Sequence, residues 1–374
     1  MSASRGVKSA ADPELQREGT LAGLWNRVRP ATSGQMWRNA GLIVALVALG
    51  VDLAIQRPYF FSKENFEVLA TQMVTLGIAS VGMAALIISG NVDLSIGSIF
   101  ALGSTFAARY SFNVDPLIAF AIGIFVGAIF GSINGVLVWR IRISPLIITL
   151  GTLSLFLGIA LVITQGVGIP NLPRRYAYFG QAHLLGLPLP VWCLLIVVVV
   201  GHIILSRTTI GRHIYAIGGN RQAAEIAGIR VRRIVIGLFL VNGALIGFTG
   251  ALATSRFDAA DVQFGNGLGL DAITAVILGG VAFAGGEGSI VGVMLAVVLL
   301  TVINGAFVAL GIDPFLGNVA KGGALLIAVG LDQLTHEQRE RFRTMLALRD
   351  LKARHQQTDE GIDAVPDPLR SKSG

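Results

Sequence analysis

Residues 116 to 138 read PLIAFAIGIFVGAIFGSINGVLV, a run of 23 residues without a charge. As a helix it is long enough to cross the hydrocarbon core of a bilayer, about 30 Å thick. Within it Gly123, Gly127, Gly131 and Gly135 recur every four residues and therefore line one helix face. A stripe of this kind lets a second backbone approach closely, which is how helices pack where lipid removes the hydrophobic drive between them. Gly243 and Gly247 repeat the spacing in another apolar run, and 47 of the 374 residues are glycine, nearly twice the usual proportion. We read the stripes as bundle packing.

Similar runs continue on both sides of this one. Candidate spans lie near residues 38 to 55, 66 to 89, 95 to 111, 116 to 138, 145 to 165, 190 to 206, 234 to 254, 272 to 284, 289 to 310 and 314 to 331. Hydrophobic residues make up 53% of the chain and charged residues 14%, with a mean hydropathy of +0.70, so a soluble domain is excluded. The fold class is therefore all-α, a polytopic inner-membrane helical bundle of about ten transmembrane helices. Its organisation is a polar N-terminal segment (1–37), a transmembrane domain (38–331) with a loop at 207–233, and a C-terminal tail (332–374). The third and eighth spans are short and are expected to be broken or partly re-entrant. Ile133-Asn134-Gly135 before Pro145 recurs as Ile303-Asn304-Gly305 before Pro314. If this is a repeat it pairs spans five apart, which gives the two copies opposite orientation.

The net charge of +7 reflects topology rather than nucleic acid. With both termini cytoplasmic, 22 of the 29 Lys and Arg fall in inside segments, whereas the outside loops hold Arg57, Lys63, Arg174, Arg175 and Arg256. Anionic membrane lipid is a secondary partner of that basic face. The first 36 residues are polar and mixed in charge, so an uncleaved first span is expected. The single cysteine, Cys193, sits in an apolar run and excludes an internal disulfide; no metal site is expected.

The most distinctive polar stretch is Gly218-Gly219-Asn220-Arg221-Gln222-Ala223-Ala224-Glu225-Ile226-Ala227-Gly228-Ile229. Asn220 is a good N-cap, Gly228 a good C′ residue, and about two helical turns fit between them. Ala223, Ile226 and Ala227 share a face of that helix. The pattern describes either a peg for a groove in another protein or an interfacial helix resting on headgroups.

This stretch resembles the coupling-loop signature of bacterial ABC importer permeases of the ribose/monosaccharide family. Gly90-Asn91-Val92-Asp93-Leu94-Ser95-Ile96-Gly97-Ser98 is similar to a second motif of that family. So are Leu270-Asp271-Ala272-Ile273 with Leu278-Gly279-Gly280, Gly285-Gly286-x-Gly288-Ser289, and Lys321-Gly322. The similarity covers about residues 40 to 335; Asn91 stands where the family usually has a second glycine. The resemblance implies a permease subunit rather than an enzyme. Its partners would be cytoplasmic ABC ATPase subunits, a periplasmic or extracellular sugar-binding protein, and a second permease copy or close relative. Gly219, Asn220, Ala223, Ala224, Glu225, Ala227 and Gly228 would couple to the ATPase. ATP and Mg would be used by that partner, since the chain has no phosphate-binding loop of its own.

Asp93 is expected to cap the third span together with Ser95. Asp271, expected just before the eighth span on the outer side, serves either as a cap or as a contact for the binding protein. Amides at membrane depth need partners, so Asn134, Asn242, Asn304 and Asn318 face other helices or a wet cavity. Lys321 within an apolar span needs a polar contact or snorkels to the surface. With Asn91 and Asp93, these residues are the candidates for a translocation pathway, because a polyhydroxylated substrate is matched by neutral donors and acceptors. Within the same class a nucleoside or branched-chain amino acid permease is the alternative. An ion-coupled secondary transporter is disfavoured by the scarcity of acids at the span centres.

Overall fold

In a computed structural model of the chain, residues 32–313 and scattered positions between 316 and 330 are described. The described residues form α1 (Thr32–Gln56), α2 (Lys63–Ile88), α3 (Ile96–Ser111), α4 (Pro116–Ile141), α5 (Pro145–Thr164), α6 (Arg174–Gln181), α7 (Leu189–Arg207), α8 (Thr209–Gly219), α9 (Arg221–Ile226), α10 (Val231–Phe257), α11 (Leu268–Leu278) and α12 (Ile290–Leu310). Seven of these, α1, α2, α4, α5, α7, α10 and α12, are long and apolar enough to cross a membrane. Short 3₁₀ turns at Pro58–Phe61 and Val262–Gly265 and two-residue strand pairs complete the described structure. Nine of the ten expected spans thus have a helix; the tenth, 314 to 331, lies almost wholly outside the described residues.

The glycine stripe of α4 packs on α10, the most extensive helix contact in the molecule. A Cβ added at Gly127 would stand 2.8 Å from the Gly247 Cα, and one at Gly131 would stand 2.9 Å from the Gly243 Cα. Reciprocally, side chains at Gly243 and Gly247 would strike the carbonyl oxygens of Gly127 and Gly123. The two backbones touch, as the spacing implies. Pro116 at the first position of α4 and Asp115, whose Oδ1 accepts from Leu117 N at 3.0 Å, set where this helix starts.

The two short spans occupy matching places. Each of the long helices α2 and α10 is followed by an irregular segment, 89–95 and 258–267, then by a short helix, α3 of 16 residues or α11 of 11, then by a long one. α2 ends beside α8 and α10 begins just after α9, so the two sets run in opposite directions from the end of the bundle that carries 207–233 (the loop end). This order agrees with the inverted repeat suggested by the Ile-Asn-Gly recurrence.

One boundary is corrected. The eighth span was expected at 272–284, with Asp271 ahead of it at the outer side; the helix instead covers Leu268–Leu278 and holds Asp271 in its first turn. Residues 279–289 form an irregular glycine loop that meets α8. The apolar residues after Leu278 extended the hydropathy pattern, but Gly280 adopts φ +86 and Val281 N donates to Val276 O at 3.2 Å, which ends the helix. Eleven residues rise only about 16 Å, so the start of α11 stands near mid-membrane rather than at the far surface.

Candidate functional site

Three pieces of backbone converge at the loop end. α8 is capped by Thr208, whose Oγ1 accepts from Gly211 N at 3.2 Å. It closes with Gly218 pressed so near the Ile88 carbonyl and the Gly286 nitrogen that no Cβ fits between them. Gly286 N donates to Ile88 O at 2.8 Å, and the Tyr215 hydroxyl donates to Gly288 O at 2.9 Å. The end of α2, α8 and the 279–289 loop are thereby one junction.

From that junction projects α9. Asn220 Oδ1 accepts from Ala223 N at 2.9 Å, and Gly228, at φ +81, closes the helix with Ile229 N donating to Ala224 O at 3.0 Å. Both caps stand where the sequence puts them. Ala223, Ile226 and Ala227 are exposed, Ile226 to 84%. Gly219, Asn220, Glu225 and Gly228 are exposed as well. Ala224, grouped with them from the sequence, points the other way: it is buried in a cluster with Leu86, Ile217, Val231, Val235 and Phe239. A two-turn helix must spend one position on its own anchorage, and the small side chain at 224 allows the close seat. Arg221 fixes the other flank, its guanidinium 4.9 Å from the centre of the Trp139 ring and 3.5 Å from Glu225.

Within the bundle the segment 89–95 carries a polar lock. Gly90, at φ +76, ends α2, and Asn91 N donates to Leu86 O at 2.9 Å. Since the left-handed residue is Gly90, the position of Asn91 requires no glycine. Its Nδ2 instead donates to Ser89 O at 3.1 Å and Ser89 Oγ at 3.0 Å. Two residues on, Asp93 is fully buried; its Oδ1 accepts from Ser95 N at 3.0 Å and from Ser95 Oγ at 2.6 Å, so it holds the residue before α3, while Ser95 itself makes no side-chain cap to the helix. Two of the sequence's intramembrane amides also reach this group. Asn134 of α4 donates to Ser95 Oγ at 2.6 Å and to Asp93 Oδ1 at 3.4 Å, and Asn242 of α10 donates to Asp93 Oδ2 at 3.4 Å. Gly82 of α2 leaves the room that Asn242 fills. The Oδ1 atoms of Asn134 and Asn242 are buried with no partner among the described protein atoms.

Asp93, Asn134 and Asn242 thus sit together inside the chain as a tie between the break after α2, α4 and α10, while the buried Asn91 side chain bonds only to Ser89. Asn304 is elsewhere, half-buried on α12 near Gly317. Asn318 and Lys321 lie outside the described residues.

The family model described as a branched-chain amino acid transport system permease component matches residues 65–329. The chain belongs to this permease family. Among its curated relatives, the ribose import permease protein of Bacillus subtilis is 38% identical over 296 residues, covering 78% of this chain and 92% of the relative. The ribose import permease protein of Escherichia coli K12 is 34% identical over 295 residues, 78% of this chain and 92% of the relative. The D-allose transport system permease protein of Escherichia coli K12 is 32% identical over 309 residues, 82% and 95%. No solved structure matches the chain significantly.

The permease also has polar residues at membrane depth that the sequence reading passed over, Gln263 and Asn266. They fell in a stretch taken as an outer loop between spans seven and eight. The sequence carried no signal against that reading, since Arg256, Asp258 and Asp261 give the stretch the polarity of an outer loop.

Proposed function

We propose that this permease is the membrane subunit of an ATP-driven importer for a sugar or sugar-like solute in the inner membrane, with both termini cytoplasmic. Two separate cytoplasmic ATPases would drive it, a periplasmic or extracellular binding protein would deliver substrate, and a second permease would complete the channel. The carrying observation is α9. It is capped at both ends, anchored through Ala224 and clamped by Arg221 on Trp139, yet it holds the 84% exposed Ile226 outward. A rigid helix that offers an apolar tip to solvent suits docking in a cleft of another protein.

The junction behind α9 supports a route for force. Movement of α8 and α9 would press on Ile88, the segment leads directly to Asp93, and Asp93 is tied to α4 and α10. The sugar class is supported by relatives whose names specify ribose and allose. The broader family description keeps a branched-chain amino acid as the second reading.

Purifying the chain gently from its native membrane tests the proposal. A companion in equal amount that carries a phosphate-binding loop and hydrolyses ATP is the expected result. Solute uptake by the chain alone, without ATP, would overturn it.

A further inference from the structure

A cavity of about 270 Å³ opens between the start of α3, the middle of α5 and residues 262–270. Leu150, Leu153 and Leu157 of α5 form one wall, and Gly97 and Ser98 of α3 a second. The third wall is the 3₁₀ turn Val262–Gly265 with Asn266 and Gly267. Gly97 and Gly265 abut, each leaving no space for a Cβ on the other, so the two broken helices meet backbone to backbone.

Depth gives this wall its meaning. α11 rises about 16 Å from the loop end, roughly half the hydrocarbon core, so residues 262–267 stand near the midplane. Leu150 to Leu157 of α5, five to twelve residues beyond Pro145, reach a comparable height. Irregular backbone at that depth is tolerated only where protein buries it or water lines it. Here Gln263 and Asn266 are exposed, and their side-chain amides make no hydrogen bond among the described residues. Lipid offers such amides no partner.

We propose that this wall is the solute-facing side of the translocation path, with Gln263 and Asn266 presenting neutral donors and acceptors to sugar hydroxyls and the α5 leucines contacting apolar sugar faces. The inference rests on the importer reading, in which the second permease supplies the facing wall. It moves the substrate-contacting amides from the buried Asp93 group to the re-entrant segment. The Asp93 lock then holds that wall in place, since it fixes the residues immediately before Leu94, Gly97 and Ser98.

The test is thiol labelling of the intact transporter in membranes, in a Cys193→Ser background. Gln263→Cys, Asn266→Cys and, as a lipid-facing reference at the centre of α1, Val44→Cys are treated with a charged, membrane-impermeant methanethiosulfonate. A thiol must ionise to react and does not do so in lipid, so labelling of the first two at least about tenfold faster than the reference is expected. Labelling no faster than Val44→Cys, with all three thiols reactive after detergent unfolding, would overturn the proposal. The readout reports water at a position and not what drives transport. A chain that labels in this pattern yet purifies without an ATPase would lose the importer reading and keep the wet path.

Discussion

Two of the permease's glycine-on-glycine contacts have different results. Between α4 and α10 the contact runs along two regular helices, Gly123, Gly127 and Gly131 against Gly243 and Gly247, with every backbone hydrogen bond kept inside its own helix. Between α3 and the segment before α11 a single pair, Gly97 and Gly265, joins two broken elements, and exposed amides lie beside it. The first arrangement fills space and the second leaves some. A bundle needs long seams for stability, but solute needs backbone and amides that the seam has not consumed.

The largest effect is expected at the first contact. Gly127→Leu would drive a side chain into the backbone of α10, which has no rotamer by which to yield. Loss of folded protein from the membrane, read by quantitative blotting and resistance to proteolysis, is expected. Near-normal abundance would mean that the seam is looser than backbone contact.

Next in size is the lock that joins the two regions. Asp93→Ala removes the acceptor for Ser95 N, Ser95 Oγ and the Asn242 amide, and leaves Asn134 only Ser95 Oγ. Each stranded donor costs about 1 to 3 kcal/mol, so a marked drop in thermal stability of the purified complex is expected. Asp93→Asn keeps one carbonyl acceptor and should retain more of the stability. Equal melting of both variants would show that the hydrogen bonds at Asp93 carry little.

Much of this architecture is legible in the chain. Stripes at four-residue spacing and cap residues such as Asn220 and Gly228 act within a few residues of themselves, so the sequence displays them directly. Asn134, Asn242 and Asp93 each stand out singly as polar groups at membrane depth. That they meet depends on packing across 149 positions, which no local pattern records. The inward turn of Ala224 is also invisible from composition, because alanine suits an exposed face and a tight seat equally. The eighth span was expected to be broken or partly re-entrant, but its polar approach escaped, because hydropathy measures what residues are and not which way the chain goes: Gln263 and Asn266 look like an outer loop until the 11 residues of α11 are measured against a bilayer.

A second pair of variants separates anchoring from presentation on α9. Ala224→Asp buries a carboxylate among Ile217, Val235 and Phe239 and should lower abundance and transport together. Ile226→Asp changes an exposed tip, so abundance should hold while coupled ATP hydrolysis and uptake fall. Were Ile226→Asp to transport normally at normal abundance, the docking role of the helix would fail; were Ala224→Asp to be as abundant as the wild type, its burial would count for nothing.

The smallest effect is expected at Gly228, where nothing lies within 4 Å of an added Cβ and yet φ is +81. Backbone strain stands alone there, as crowding stands alone at Gly127, whose φ is not positive. Gly228→Ala should cost only about 1 kcal/mol, the penalty for placing a side chain in the left-handed region. In a protein of this size that shifts melting by a degree or two, within reach of careful thermal denaturation of the purified complex. The informative quantity is uptake measured beside it. If α9 serves as a rigid peg, fraying its last turn should reduce uptake by more than the change in folded protein explains, because Ile226 stands only two residues before the cap. Uptake that tracks abundance would instead make Gly228 a local convenience of the turn and leave the docking of α9 to its N-terminal half.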